Sequence, residues 1–210
     1  MSMVAEKEFI IFSIGNPGST NRHSTGHIVM KALIEYFGAK QLFKPLSNSM
    51  YSMTEVDNLA LVKSNNYMND SNKLLKQYIE QEKIGLRQAV LIIVYDEFDL
   101  DLGKVKISPF KKNESHNGIR SIKGYISRQS ADLTVYKLGI GIGPKPSNAT
   151  TSTMSSWVLS KFKPDEREII DNLSIPLAIN YIDHVIDLNG EIQDCSKLNA
   201  YFTKRSNLQI

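Results

Sequence analysis

Residues 89–95 read Ala-Val-Leu-Ile-Ile-Val-Tyr, with no polar side chain among them. A run this short and this apolar predicts a strand covered on both faces, the central strand of a parallel sheet. Parallel neighbours need crossover connections, so the flanking segments should alternate strand and helix. Upstream, Glu8–Ile14 is a second apolar strand stopped by Gly15-Asn16-Pro17-Gly18. From Thr25 to Phe37 the residues Val29, Leu33, Tyr36 and Phe37 recur at helical spacing, and Gly38 ends the run. Met50–Val56 and Leu59–Lys63 read as two strands about an Asp57-Asn58 turn, and Asp70–Glu82 as a helix. Downstream, Val105–Phe110 and Thr134–Ile142 are strands. Between them His116–Arg128 is a helix with Ile119, Ile122 and Ile126 inward and Arg120, Lys123 and Arg128 outward. A short helix near Trp157 and a long one over Pro164–Leu188 follow. The expectation is an α/β fold: one mixed, mostly parallel twisted sheet with helices on both faces. It forms a single domain over residues 1–190, with a loosely held C-terminal tail over 191–210.

Composition narrows the class. A chain of 210 residues, 41% hydrophobic and 22% charged, fits a globular domain and excludes collagen-like or disordered material. No apolar run approaches the roughly 18 residues of a membrane span. The start, Met-Ser-Met-Val-Ala-Glu-Lys-Glu, has neither an apolar signal core nor an arginine-rich transit character. A single cysteine, Cys195, rules out an internal disulfide, and few histidines with no CxxC argue against a zinc or redox centre. The reading is therefore a reducing compartment, no metal and no cofactor. Net charge is only +3, but it is unevenly placed. Lys104–Arg128 holds seven bases and one acid, Glu114, a net of +6, so the rest of the chain sums to −3. Such polarity suits a polyanion, although a run of charge is commonly just a solvated face.

In α/β sheets the ligand crevice lies at the carboxyl ends of strands. Four polar elements fall at such ends: Gly15–Gly18 with His23 nearby, Tyr67-Met68-Asn69, Asp96-Glu97-Phe98-Asp99-Leu100, and Ser115-His116-Asn117-Gly118. Each has a plain structural reading. Asn-Pro-Gly is a common turn, Asp96 and Asn69 could be caps, and a histidine near a helix start is often structural. Their joint placement is what stands out.

The ordered set Gly15–Gly18, Arg22-His23-Ser24-Thr25-Gly26, Tyr67-Met68-Asn69-Asp70-Ser71, Asp96–Leu100, His116-Asn117-Gly118 and Gly141-Ile142-Gly143 resembles the bacterial-type peptidyl-tRNA hydrolases. The match spans residues 9–160. The resemblance implies a monomeric, cofactor-free hydrolase cleaving the ester between a peptide and the terminal ribose of tRNA. It is expected in the cytoplasm, with a mitochondrial location as the alternative. His23 matches the catalytic base, suited to the task by a pKa near neutrality. Asp96 matches the acid that orients it. If His23 sits at the amino end of the following helix, the dipole should help keep it neutral. Asn16, Asn69 and Asn117 match substrate-holding amides, and Tyr67 the aromatic position beside them. His116 also matches, but without an evident acid partner it reads as structural or substrate-orienting. Lys106, Lys111, Lys112, Arg120 and Lys123 would meet phosphates of the acceptor stem behind the CCA end.

The chain departs from the family pattern in several places. Only Ser19-Thr20-Asn21 separates Gly18 from Arg22, without the usual tyrosine. The glycine-rich approach to His-Asn-Gly has become Phe110–Ser115, Gly139 replaces a common arginine, and Ser24-Thr25 replaces Asn-x. These changes touch the substrate rim and spare the base, the acid and the amides. The rival reading is an RNA-binding protein that kept the fold without turnover. A peptidase-type hydrolase is disfavoured by the lack of a GxSxG elbow.

Overall fold

The computed structural model describes residues 7–18, 20–85, 89–129 and 133–206. Strand β1 (Glu8–Ser13) leads through a single 3-10 turn, Arg22–Ser24, into α1 (Thr25–Tyr36). The hairpin of β2 (Tyr51–Val56) and β3 (Leu59–Ser64) turns at Asp57, whose φ is 52°. A second 3-10 turn, Met68–Asp70, opens α2 (Ser71–Gln81). Then come β4 (Ala89–Asp101), β5 (Val105–Ser108), α3 (Asn117–Ile126) and β6 (Thr134–Gly143). The chain ends in α4 (Thr151–Val158), α5 (Pro164–Ile169), a π-helical segment Ile170–Ser174, α6 (Ile175–Asp187) and α7 (Cys195–Ser206).

The six strands lie in the order β2-β3-β1-β4-β6-β5. The pairs β3/β1, β1/β4 and β4/β6 are parallel, while β2 and β5 join the edges antiparallel. This is the mixed, mostly parallel sheet expected. Strand β4 is apolar throughout its first half because it faces two cores. Val90, Ile92 and Val94 meet Val29 and Leu33 of α1 and Tyr181 and Val185 of α6. Leu91, Ile93 and Tyr95 meet Leu74 and Leu75 of α2 and Ile119 and Ile122 of α3.

Four expectations are corrected. Asp96–Leu100 does not leave the central strand but continues it to Asp101, and β4 bulges against β6 between Glu97 and Asp101. Polar residues there obscure the strand because this half pairs beside the cleft. The bulge needs Gly141, since a Cβ there would overlap the carbonyl of Asp101 and come within 3.0 Å of that of Lys104. The Gly141-Ile142-Gly143 motif is therefore a packing device. The strand expected over Val105–Phe110 stops at Ser108. The long helix expected over Pro164–Leu188 is interrupted at Ile170–Ser174 by one wide π turn. Finally, the tail is not loose over its described part, residues 191–206. Helix α7 buries Leu198 and Phe202 against the first core, each worth about 1.5–3 kcal/mol. Its Asn199 accepts from Ile107 N at 3.0 Å and donates to Ile107 O at 2.8 Å, as a neighbouring strand would. Among the described residues no helix is long and apolar enough to cross a membrane.

One buried group makes stability depend on pH. His27 on α1 is 6% exposed, with Nδ1 at 3.1 Å from Ser13 Oγ. Burial, and then the nearby Lys63 charge, lowers its pKa to about 3. An unfolded chain protonates this ring near 6.5, so below that pH the unfolded state binds the extra proton and stability falls. Wild type should therefore lose about 1–2 kcal/mol more than His27→Leu between pH 7 and pH 5, read from urea midpoints. Parallel curves for the two proteins would refute the assignment.

Candidate active site

The site forms where the sheet connections diverge. Strand β1 exits towards α1 on one face, and β3 exits towards α2 on the other. The carboxyl ends of β1, β3, β4 and β6 thus open onto a cleft of about 690 Å³. His23 is brought there by the 3-10 turn after β1, and that turn is held closely. Asn16 N donates to His23 O at 2.9 Å, Ser24 Oγ to Asn16 O at 3.0 Å, and Thr25 Oγ1 to Arg22 O at 2.6 Å. Gly26 completes the approach. A Cβ at this position would overlap the Ile14 carbonyl and lie 2.6 Å from that of Val94, so only glycine lets α1 rest on the ends of β1 and β4.

The neighbouring Arg22 anchors the turn from within. Its Nη2 meets both carboxylate oxygens of Glu166, at 2.7 and 2.8 Å, while Nη1 donates to Ile142 O and Nε to Ser160 Oγ, both at 3.3 Å. It also lies against the rings of Trp157 and Phe162, 5.1 and 4.8 Å from their centroids. Burying a charge this deeply is tolerable because its donors are matched by a fork of acceptors.

At the centre, Asp96 is fully buried and each of its oxygens takes one imidazole. His23 Nδ1 lies 2.6 Å from Oδ2 and His116 Nε2 lies 3.3 Å from Oδ1. The expectation that His116 lacks an acid partner is overturned, because it shares Asp96 with His23. Its tautomer is also set: Nδ1 accepts from Ile119 N at 3.3 Å, so the proton resides on Nε2 and points at the carboxylate. With His23 Nδ1–H donating to the other oxygen, His23 Nε2 is left free at the cleft. Burial alone would raise the pKa of Asp96, but the two imidazoles hold it well below the usual carboxylate range. For His23, burial works against the charged form, and the charge and hydrogen bond of Asp96 more than offset it, giving a net upward shift. His23 does precede α1 directly, yet the carboxylate outweighs whatever the helix dipole contributes to keeping it neutral.

Among the described residues His23, Asp96 and His116 are the one group close enough to form a metal ligand set. For His116 to ligate through Nε2 it would have to protonate Nδ1, which already accepts a backbone N–H. The arrangement suits the orientation of a base better than the ligation of a cation.

The amides surround this centre. Asn16, Asn69 and Asn117 line the cleft, with Tyr67 at its rim, 66% exposed. Asn16 Oδ1 accepts from Met68 N at 3.2 Å. The five basic residues do not line the cleft. Lys106 sits on the edge strand β5, Lys111 and Lys112 lie in the segment before α3, and Arg120 and Lys123 lie along that helix, whose first residue, Asn117, joins the cleft wall. Lys123 Nζ donates to the carbonyls of Lys111 and Lys112.

Sequence reasoning missed the apolar wall made by Phe98, Met154, Val158 and Leu159. It also missed Lys145, at 2.6 Å from Asp99 and over the Phe98 ring. Another buried pair, Lys137 with Glu114 at 2.7 Å, supports the segment leading to His116. That pair had a legible signal: a lysine inside the apolar strand Thr134–Gly143, and a lone acid within a basic segment.

Comparison with known proteins identifies the family of the chain. The profile of one family, Peptidyl-tRNA hydrolase, matches residues 10–206. The chain belongs to the peptidyl-tRNA hydrolase family. A probable peptidyl-tRNA hydrolase of Schizosaccharomyces pombe is 36% identical over 169 residues, covering 77% of this chain and 75% of the relative. The peptidyl-tRNA hydrolase of Fervidobacterium nodosum is 31% identical over 196 residues, covering 91% and 96%. The fold agrees with that of family members of known structure. A crystal structure of a peptidyl-tRNA hydrolase with N-propanol has a TM-score of 0.69 at 20% identity, covering 95% of this chain and 98% of that one. The enzyme of Acinetobacter baumannii has a TM-score of 0.65 at 22% identity, covering 90% and 97%.

Proposed function

We propose that this family member hydrolyses the ester linking a peptide, or an N-blocked amino acid, to the 3′-terminal ribose of tRNA, with His23 as general base. The observation that carries the reading is the His23–Asp96 pair at 2.6 Å, opening onto a cleft ringed by amides. Asp96 holds the proton on Nδ1, so Nε2 takes a proton from water as its oxygen attacks the ester carbonyl. Negative charge then develops on the former carbonyl oxygen, where the neutral amides of Asn69 and Asn117, which line the cleft, would donate to it. Collapse of the tetrahedral species expels the ribose 3′ oxygen, and the His23 imidazolium returns the proton to it. The products are the free peptide acid and tRNA. Asp96 favours the imidazolium throughout by its charge.

Lys106, Lys111 and Lys112, with the donors that Arg120 and Lys123 have left, would contact acceptor-stem phosphates. Such contacts confer salt-dependent affinity and no sequence readout. Asn16, which adjoins both His23 and Met68, would read the blocked amino group, and the exposed ring of Tyr67 the terminal adenosine beside Asn69. In this reading the enzyme works as a monomer wherever ribosomes drop such tRNAs, in the cytoplasm or a mitochondrion.

The test compares N-acetylaminoacyl-tRNA with free aminoacyl-tRNA. Release from the blocked substrate alone is expected, slowed at least about a hundredfold in His23→Ala. Tight tRNA binding without release would instead assign the RNA-binding role.

A further inference from the structure

Asn117 occupies the first position of α3, one turn from Arg120. The two side chains meet on the helix surface, with Arg120 NH2 donating to Asn117 Oδ1 at 2.6 Å. A guanidinium has donors and no acceptor, so this contact decides which end of the amide faces it. The oxygen is turned towards the arginine, and Nδ2 with its two hydrogens is left for the cleft. The same logic applies across the cleft at Asn16, whose oxygen accepts from the Met68 backbone N–H, so that among the described residues its amide nitrogen has no hydrogen-bond partner. An unrestrained asparagine could present either a donor or an acceptor. In these two the oxygen is already engaged, so the end of the amide with both hydrogens unspent is the one offered to the cleft.

We propose that Arg120 is a positioning residue: it fixes the Asn117 amide as a hydrogen-bond donor, so that this position recognises an acceptor oxygen of the substrate and no N–H group. The acceptor is the ester carbonyl oxygen or the oxyanion derived from it, given the proximity of Asn117 to His116 and the base. Arg120 has remaining donors and can meet a phosphate as well, but its effect on turnover is exerted through Asn117. The inference rests on the hydrolytic reading of the site.

The experiment separates charge from orientation by comparing Arg120→Met with Arg120→Gln on N-acetylaminoacyl-tRNA. Both variants lack the cation, so the charge contribution to any phosphate contact is lost in each, and the comparison is read in kcat at saturating substrate, not in KM. Only glutamine can still donate to Asn117 Oδ1 from an i+3 position. At saturating substrate Arg120→Met should lower kcat about tenfold, the effect of one misaligned donor, and Arg120→Gln should restore most of it. As a second readout, Asn117→Asp, whose side chain is acceptor-only, should be as slow as Asn117→Ala. Equal kcat values for the Met and Gln variants would overturn the inference, and so would an Asn117→Asp enzyme faster than Asn117→Ala. A wild-type protein that releases nothing would instead reject the hydrolytic reading itself. Arg120 is exposed, so none of its variants threatens the fold.

Discussion

Asp96→Asn is expected to lower kcat by about 10³–10⁴-fold with the fold intact, because the substitution forces the wrong tautomer on the base. Both imidazoles now donate to the carboxylate. An amide has a single oxygen to offer and must turn its NH2 to the other ring. His116 cannot be the one to yield, since its Nδ1 accepts from Ile119 N and its proton is therefore committed to Nε2. It claims the asparagine oxygen. The NH2 then faces His23 Nδ1, which becomes an acceptor, and the His23 proton moves to Nε2, where a free lone pair is required. Single-turnover release from N-acetylaminoacyl-tRNA measures the loss, with near-ultraviolet circular dichroism as the check on folding. A variant within tenfold of wild type would reject the tautomer argument. Removing the competing ring in Asp96→Asn/His116→Leu frees the amide to rotate and should recover about tenfold of the lost rate. Since Asp96 shifts the His23 pKa upward, its neutral replacement should also move the acid limb of any remaining pH–rate profile to lower pH.

Gly26→Ala is expected to damage both the fold and the site with the single carbon it adds. The new methyl would collide with the backbone carbonyls of Ile14 and Val94, neither of which can turn aside as a flexible side chain could. Helix α1 would have to lift from the ends of β1 and β4, carrying Val29, Met30 and Leu33 out of register with the first core. Overpacking of a tight interior typically costs 1–3 kcal/mol, and a backbone–backbone clash belongs at or above the upper end, so a loss of about 3 kcal/mol or more is expected. The same displacement would draw the His23 turn away from Asp96, so activity should be lost even under conditions where the variant remains folded. Urea denaturation and turnover at low temperature report the two effects separately. A Gly26→Ala protein with the wild-type midpoint would show that the approach of α1 to the strands is looser than described.

The parts of the fold legible in the sequence are those where one physical signal dominates. Residues 89–95 are apolar on both faces because two helical layers cover β4, and this alone implies the layered sheet. Where two signals compete, reading fails. Asp96–Asp101 carries the polarity of a loop, yet its backbone pairs with β6 through the bulge that Gly141 permits. Helix α7 holds only Leu198 and Phe202 in the core, too few apolar positions to announce themselves in Cys195–Ser206. Within the site, residue types suited to acid–base work could be read, and motif order supplied their companions. Distances could not. His116 and Asp96 are twenty residues apart and Arg22 and Glu166 a hundred and forty-four, so their pairing depends on topology that no local pattern encodes.

The side-chain amide that Asn199 lays along Ile107 bears on how the protein behaves in a crowded solution. An open sheet ends in unsatisfied backbone groups that invite a further strand from another molecule. At the β5 margin the helix-borne amide occupies that place with both a donor and an acceptor. At the β2 margin the Phe43 backbone does the same for Met53, through bonds of 2.8 and 3.0 Å. Each margin is thus engaged at its middle by the chain itself, which breaks the run of free groups that lateral growth into fibrillar assemblies would use as a template.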